Sequence, residues 1–157
     1  MKKNKIDFNF VSPKLDRRDI NFLLNNILKQ KIPNEGKYTR EFEKKIAKLL
    51  KIKYVVATTS GTIAIYLALK SLNIKNGDEI IVPNITFAAT VNAVSLAGAK
   101  PILVDINKND LLIDTKKLKG KINKKTKAII TVHVSGRGSN ILDLKKIAKK
   151  YKIKLIE

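Results

Sequence analysis

The segment Ser60-Gly61-Thr62-Ile63 has the residue types of an anion-binding helix start. A polar turn at residues 58–62 separates a run typical of a short strand from a run typical of a helix. The N–H groups of the first helical residues lack partners within the helix, and the positive end of the helix dipole lies there. Such a turn can hold a phosphate group, although the same residues also suit a plain Ser or Thr N-cap.

Phe87 is the second candidate for ligand contact. It follows Pro83-Asn84-Ile85-Thr86 and precedes a helical run of small residues. Pro83 is expected to end a strand, which places the aromatic ring at the edge of the sheet where ligands bind. There the ring could stack on a planar ligand, or it could pack in the core as an ordinary contact at a helix start.

His133 is the only histidine, and the chain has no cysteine. This composition excludes disulfides, thiolate metal sites and cysteine nucleophiles. The acidic residues show no metal-ligand spacing, so no metal site is predicted, and no P-loop or dinucleotide-binding glycine motif is present. His133 falls at the expected end of a strand, where it could orient a ligand or a loop, or serve as a structural residue.

The formal net charge is +20, from 33 Lys and Arg against 13 Asp and Glu. A charge of this size can indicate a polyanionic partner such as nucleic acid. Only four of the basic residues are arginine, and aromatic residues make up 6% of the chain. Because nucleic-acid surfaces use arginine forks and stacking rings, we expect solvated lysine faces, with a basic α/β nucleic-acid-binding module as an alternative.

Hydrophobic periodicity predicts the elements that position these residues. Two amphipathic helices come first, one from about Asp16 to Lys31 and one capped by Thr39, and the apolar stripes of both are expected to pack in a core. Beyond them, short β-branched runs alternate with helical runs. Strands are predicted at 54–57, 79–82, 100–106, 128–134 and 153–156, and helices at 63–72, 88–97, 114–122 and 141–151.

This alternation predicts one α/β unit, a mostly parallel sheet with helices on both faces. Ligands bind beyond the carboxyl ends of the strands in such sheets, which is where the loops 58–62, 83–87, 106–110 and 135–140 are expected. The sequence contains neither a membrane-spanning apolar run nor a signal-peptide pattern, so a cytoplasmic location is expected.

An ordered set of motifs, which covers nearly the whole chain, resembles one known family. The motifs are Gly36-Lys37-Tyr38-Thr39, Thr59-Ser60-Gly61-Thr62-Ile63-Ala64, Gly77-Asp78-Glu79-Ile80-Ile81-Val82-Pro83, Thr86-Phe87-Ala88-Ala89-Thr90, Gly98-Ala99-Lys100-Pro101, Val104-Asp105-Ile106, His133-Val134-Ser135-Gly136 and Leu155-Ile156-Glu157. In this order they resemble the DegT/StrS-type sugar aminotransferases. These are pyridoxal 5'-phosphate (PLP) enzymes of the aspartate aminotransferase fold, fold type I.

The resemblance implies roles for the candidate residues. One group would bind the cofactor phosphate through backbone and hydroxyl donors, and an aromatic ring would stack on the pyridine ring. The residues expected to bind the cofactor are Ser60, Gly61, Thr62, Ile63 and Phe87. Tyr38 and Thr39 match a segment near the mouth of the substrate site, and His133 matches a recurrent strand-end position without an assigned role.

The family's catalytic residues would lie beyond residue 157. In the family, an aspartate that pairs with the pyridinium nitrogen directly follows the position of Glu157, and the lysine that forms a Schiff base with the cofactor comes later. No catalytic residue is therefore assigned within the chain, which is expected to be inactive alone. Residues 1–35 are predicted to be an N-terminal helical arm, and residues 36–157 the N-terminal part of the PLP-binding large domain, with the C-terminal half and the small domain absent.

The reaction that the resemblance implies is transfer of an amino group from an amino acid, expected to be glutamate, to a nucleotide-linked keto-sugar. This reaction would serve polysaccharide or deoxyaminosugar biosynthesis, and the complete protein would be a homodimer. A PLP-dependent sugar dehydratase of the same family is the alternative, because nothing within residues 1–157 separates the two activities.

Overall fold

The computed structural model describes residues 15–28 and 36–157, which divide into two compact units. The first unit ends at Ala57, and the second comprises Thr58–Glu157. The predicted end of an N-terminal arm at residue 35 lies outside the described residues and stays a prediction. In the described ranges, no helix is long and apolar enough to cross a membrane.

Helix α1 begins at a capping box. The side chain of Asp16 accepts the backbone N–H of Asp19 at 3.0 Å, and the carboxylate of Asp19 accepts the N–H of Asp16 in return. Helix α1 covers Arg17–Phe22 and continues as a π-helical turn over Leu23–Ile27. The predicted start at Asp16 is confirmed, whereas the predicted end near Lys31 falls outside the described residues.

Helix α2, Lys37–Leu50, begins earlier than predicted. Gly36 is the N-cap in an extended conformation, and its carbonyl accepts the N–H of Arg40 at 3.4 Å. Thr39 therefore lies inside the first turn, and the prediction that it caps the helix is wrong. Helical hydrogen bonding has already begun at Gly36, so the Thr39 backbone is committed to the helix.

The apolar stripes of the first unit are largely exposed. Ile20 and Leu24 of the first stripe are about half exposed, and none of the described residues of α2 is buried. Phe42 of the second stripe is 55% exposed. The prediction that both stripes pack in a core is wrong for these residues, because among residues 15–28 and 36–57 no other element covers them.

Residues 54–57 do not form the predicted strand. A strand requires a neighbouring backbone for its ladder of hydrogen bonds, and none of the described strands pairs with this segment. Instead, the N–H of Ala57 donates to the carboxylate of Glu43 at 2.8 Å. The side chains of Tyr54 and Val56 are mostly exposed, so burial of apolar side chains does not stabilise an extended conformation here either.

The second unit is built around a four-stranded sheet in which every pairing is parallel. The strand order is β2-β1-β3-β4. The strands are β1 (Glu79–Pro83), β2 (Lys100–Val104), β3 (Thr126–Ile130) and β4 (Lys154–Ile156). The helices are α3 (Gly61–Ser71), α4 (Ala88–Leu96), α5 (Thr115–Lys119) and α6 (Ile141–Tyr151). The predicted α/β fold with a parallel sheet is confirmed.

Successive residues of the central strands face two separate cores, as the strand period of two requires. Ile80 and Val82 pack with α3 and α4, whereas Ile81 between them packs with α5 and α6. The first core also contains Leu69, Val94, Ala128 and Ile130, and the second contains Val104, Leu118, Ile129, Leu144 and Ile147. The prediction of helices on both faces of the sheet is therefore confirmed.

Three elements are shorter than predicted or displaced. Strand β2 ends at Val104, two residues early, and β3 runs over Thr126–Ile130 instead of 128–134. Helix α5 stops before Gly120. For β3, residues of strand-like composition continue to Val134, past the last residue that pairs with a neighbouring strand, so composition misplaces this element.

Charge is distributed unevenly over the second unit. Residues 58–114 contain four lysines against five acidic residues, whereas residues 115–157 contain thirteen lysines and one arginine against two acidic residues. The lysines of α5 and α6 are all exposed. The layer of α5 and α6 is therefore strongly basic, and the layer of α3 and α4, with Lys70 as its one charged residue, is nearly uncharged.

Asp105 follows β2 and holds two other segments by its carboxylate. It accepts the side-chain amide of Asn84 at 3.0 Å, the N–H of Ile106 at 2.9 Å, and the ammonium group of Lys117 in α5. The hydrogen bond from Lys117 is the main cause that lowers the pKa of Asp105 from 3.8 to about 2. The same contact raises the pKa of Lys117.

The stability difference between the wild type and D105N should therefore depend on pH. Because the pKa of Asp105 is depressed in the folded state, the unfolded chain takes up the proton first as the pH falls. We expect the advantage of the wild type to be complete above about pH 4 and to disappear as the pH approaches about 2. Urea unfolding of both proteins across this pH range measures the difference in their free energies of unfolding.

The matched control for this prediction is K117M, which removes the largest single cause of the lowered pKa. In that background, the D105N substitution should change the urea midpoint by an amount that varies much less with pH. A wild-type advantage over D105N that stays constant from pH 7 to pH 2 would contradict the prediction.

Candidate functional site

Helix α3 starts at the carboxyl edge of the sheet, meaning the edge where the parallel strands end. The last residue of α3 lies near the start of β1, to which a short turn connects it. The first residue of α3 therefore lies at the other end of the helix, beside the carboxyl ends of the strands. Helix α4 follows β1 directly and therefore starts at this edge as well. The topology brings the predicted turn 58–62 and Phe87 to one edge.

Ser60 is the N-cap of α3. Its hydroxyl accepts the N–H of Ile63 at 3.3 Å, and its carbonyl accepts the N–H of Ala64 at 3.0 Å. The amide of Ile63, which the sequence suggested as a phosphate donor, is thus already used by the cap. Within the described residues no acceptor bonds to the amides of Gly61 and Thr62, so these two remain available to a ligand.

The space in front of Gly61 is open. A Cβ atom built on this residue would meet no heavy atom within 4 Å, and the φ angle is not in the left-handed region. The backbone conformation therefore does not demand glycine at this position. What glycine provides is the absence of a side chain beside the two available amides, which lets a ligand approach the helix start closely.

Phe87 is the N-cap residue of α4, and its side chain is 82% exposed. The alternative that this ring packs in the core is wrong. The helix start beneath it is held by other groups: the Thr90 N–H donates to the Phe87 carbonyl at 3.0 Å, and the hydroxyls of Thr86 and Thr90 lie 2.8 Å apart. An exposed flat ring on a fixed backbone is available for stacking.

His133 lies three residues after β3 rather than at its last residue, and it precedes a short 3-10 turn, Val134–Gly136. Its Nδ1 atom accepts the N–H of Ser139 at 2.9 Å, and its Nε2 atom lies 3.7 Å from Oε2 of Glu157. The sequence indicated that this histidine could orient a loop. Its partner Ser139 was missed, because a backbone amide leaves no signal in the residue types.

Tyr38 and Thr39, the predicted substrate-binding residues, belong to the first unit. Both lie in the first turn of α2, and the ring of Tyr38 packs edge-to-face on Phe22, with 5.0 Å between the ring centroids. Their contact with substrate stays a prediction. The aromatic pair connects the first turn of α2 to the end of α1.

Comparison with known proteins places this arrangement in a family. A model of the DegT/DnrJ/EryC1/StrS aminotransferase family matches residues 14–157. A GDP-perosamine synthase of Vibrio cholerae is 37% identical over 145 residues, which make up 92% of this chain and 40% of that protein. A 3-oxo-glucose-6-phosphate:glutamate aminotransferase of Bacillus subtilis is 43% identical over 122 residues, or 78% of this chain and 28% of that protein.

A solved structure shares the fold described above. The E. coli GDP-4-keto-6-deoxy-D-mannose-3-dehydratase with bound hydrated PLP superposes with a TM-score of 0.85 at 31% identity, over 96% of this chain and 40% of that one. The chain thus spans less than half the length of these relatives. Because the family model matches almost all of the chain, the chain belongs to the DegT/DnrJ/EryC1/StrS aminotransferase family.

Proposed function

We propose that this chain forms the cofactor-phosphate side of a PLP-dependent sugar aminotransferase. The amino group would come from glutamate and would be transferred to a nucleotide-linked keto-sugar. The observation that carries the proposal is the open start of α3, where the amides of Gly61 and Thr62 lie at the same sheet edge as the exposed ring of Phe87. When bound, PLP would supply an electron sink for the transfer of the amino group.

The residues at this edge fit the chemistry of a phosphorylated pyridine. Two backbone N–H groups at a helix N-terminus favour a phosphate dianion, and the hydroxyl of Thr62 can add a third donor. The Ser60 hydroxyl accepts the Ile63 N–H and so fixes the first turn, while its own O–H can still donate to a phosphate oxygen. Phe87 offers one face of its ring to the pyridine.

Pyridoxamine 5'-phosphate (PMP) is the sharpest probe of this site. It lacks the aldehyde with which PLP would react at many of the 29 lysines, so its binding is reversible and forms no covalent bond to lysine. We expect PMP to bind and pyridoxamine, which lacks the phosphate, to bind at least about tenfold more weakly, since hydrogen bonds to a charged group are lost. Fluorescence titration measures both, and equal affinities would contradict the proposal.

The variant Phe87→Ala is expected to weaken PMP binding by about 3- to 10-fold, the equivalent of one aromatic stacking contact. The stability of the fold should not change, because the side chain is almost fully exposed and covers nothing. Phe42→Ala, which removes a half-exposed ring from α2, is the control and should bind PMP like the wild type. Loss of stability in Phe87→Ala without loss of affinity would show that the ring has a structural role instead.

Because this chain is expected to be inactive alone, the transfer reaction is tested in a form extended to the length of its relatives, by release of 2-oxoglutarate from glutamate in the presence of a GDP- or dTDP-linked keto-sugar. Sugar dehydration is a second candidate, because the E. coli dehydratase shares the fold over nearly all of this chain. The product distinguishes them, since aminotransfer forms one amino-sugar for each 2-oxoglutarate released. A net loss of water from the sugar would favour the dehydratase.

We also infer that the protein acts in the cytoplasm as a homodimer. The exposed apolar residues of the first unit, including Leu24 and Phe42, support association, because a second subunit could bury this apolar surface away from water. Sedimentation equilibrium tests this inference, and a monomer at micromolar concentration would contradict it.

A further inference from the structure

His133 connects two segments that meet at the carboxyl edge of the sheet. One is the loop between β3 and α6, which contains Ser139, and the other is the end of β4, which Glu157 follows directly. The imidazole reaches the first through Nδ1, 2.9 Å from the Ser139 amide, and the second through Nε2, 3.7 Å from the carboxylate. The two ring nitrogens therefore have different partners: Nδ1 faces a hydrogen-bond donor, and Nε2 faces a negatively charged acceptor.

The two partners decide which nitrogen carries the proton in the neutral imidazole. A nitrogen that accepts an N–H is unprotonated, so Nδ1 is the acceptor. The proton of the neutral ring then resides on Nε2, on the side of Glu157. The 3.7 Å distance is longer than a hydrogen bond, so this second contact is an electrostatic attraction between an N–H group and a carboxylate.

Buried polar contacts fix Ser139, whose amide is the partner of Nδ1. Thr131 and Ser139 are both buried, and the Thr131 hydroxyl donates to the Ser139 hydroxyl at 2.8 Å. The Ser139 hydroxyl donates in turn to the carbonyl of Val132 at 3.2 Å, and the Thr131 N–H donates to the carbonyl of Ile156 at 2.9 Å. These contacts join the start of the loop, its end and β4.

The loop between His133 and Ser139 has an unfavourable backbone. Ser135 adopts a left-handed conformation with φ of 52°, and Gly136 follows with φ of 77°. A non-glycine residue in this region persists only where the surroundings fix it. The hydrogen bond from the Ser139 amide to Nδ1 of His133 closes the loop that contains Ser135 and Gly136. This hydrogen bond can therefore stabilise the left-handed conformation of Ser135.

We propose that His133 is a positioning residue of the carboxyl edge, held as its Nε2–H tautomer, which fixes loop 134–139 and orients the carboxylate of Glu157. Its consequence for ligand binding rests on the proposed function, because the loop and Glu157 share this edge with Gly61 and Phe87. The histidine acts through these segments and touches no reacting atom in this proposal.

The tautomer is tested directly by long-range ¹H–¹⁵N spectra of the labelled protein at pH 7.5. His133 is the only histidine, so the imidazole signals need no assignment by mutation. We expect the Nδ1 signal of an unprotonated nitrogen and the Nε2 signal of a protonated one. The opposite pattern, or averaged signals from a mixture of tautomers, would overturn the proposal, and this measurement does not depend on whether any variant folds.

Two variants separate the positioning role from simple packing. In His133→Asn, the side-chain oxygen can take the place of Nδ1, whereas in His133→Gln the amide reaches only toward Nε2. Hydrogen exchange of the Ser139 amide should stay within about threefold of the wild type in the Asn variant and accelerate about tenfold in the Gln variant, as expected for one lost hydrogen bond. Equal exchange rates in the two variants would overturn the proposal.

PMP titration of the same variants links the loop to the site. The Gln variant should bind PMP at least about threefold more weakly than the Asn variant, and equal affinities would remove the role in ligand binding. If the wild type shows the expected tautomer but binds no PMP, the proposed function is wrong, whereas the positioning role of His133 in the loop still stands. If it binds PMP and shows the Nδ1–H tautomer, this inference fails alone.

Discussion

Replacement of Gly61 by aspartate is expected to weaken PMP binding by about 10- to 100-fold. The new carboxylate would lie beside the amides of Gly61 and Thr62 and would compete with the phosphate for them while repelling its charge. Loss of charge-assisted hydrogen bonds of about 1.5–3 kcal/mol accounts for the expected range. Fluorescence titration with PMP measures the effect.

The same substitution should leave the fold intact, which makes the result interpretable. A Cβ at this position meets no neighbour within 4 Å, and an acidic side chain in the first turn of a helix adds about 0.3–1 kcal/mol of stability. Gly61→Ala is the matched control and should weaken binding by no more than about threefold, because its methyl group narrows the approach to the amides without adding charge. If G61D bound PMP like the wild type, the start of α3 would not be the phosphate site.

Leu144→Ala is expected to lower the free energy of unfolding by about 2–5 kcal/mol. Leu144 is fully buried in α6, in the core between this helix, α5 and the sheet, and its removal leaves a cavity there. A loss of this size is a large part of the roughly 5–15 kcal/mol that stabilises a typical domain. Urea unfolding followed by far-UV circular dichroism measures the difference.

Leu142→Ala provides the control on the same helix. Leu142 lies two residues before Leu144 but is 73% exposed, so its truncation removes an equal number of atoms and opens no cavity. We expect a change below about 0.5 kcal/mol. Similar losses in the two variants would mean that the outer face of α6 is covered in solution.

The alternation of strands and helices could be predicted from the sequence because it depends on local pattern. Helix α6 runs over Ile141–Tyr151 as predicted, and β1 differs by one residue, Pro83. The segment 54–57 has the composition of a strand, but a strand also needs a paired backbone, which composition cannot report. The amphipathic pattern of α2 likewise identified an apolar face without showing what covers it.

The candidate site was predictable to the level of segments and not of atoms. Residues 58–62 and Phe87 could be placed at one edge because parallel strands fix where the loops emerge. The use of the Ile63 amide by Ser60 depends on one side-chain rotamer, and the contact between His133 and Ser139 on a loop conformation. The contact between Asp105 and Lys117 could not be predicted either, since the two residues are twelve positions apart along the chain and meet only in the folded protein.

The basic layer of α5 and α6 makes the second unit a strong electric dipole, because the opposite layer of α3 and α4 is nearly uncharged. In solutions of low ionic strength, its counterions gather on one side. The unit therefore turns that side toward any negatively charged surface, such as a cation-exchange resin. Retention of the protein on such a resin should fall steeply as added salt shortens the electrostatic screening length, which is about 10 Å at 0.1 M.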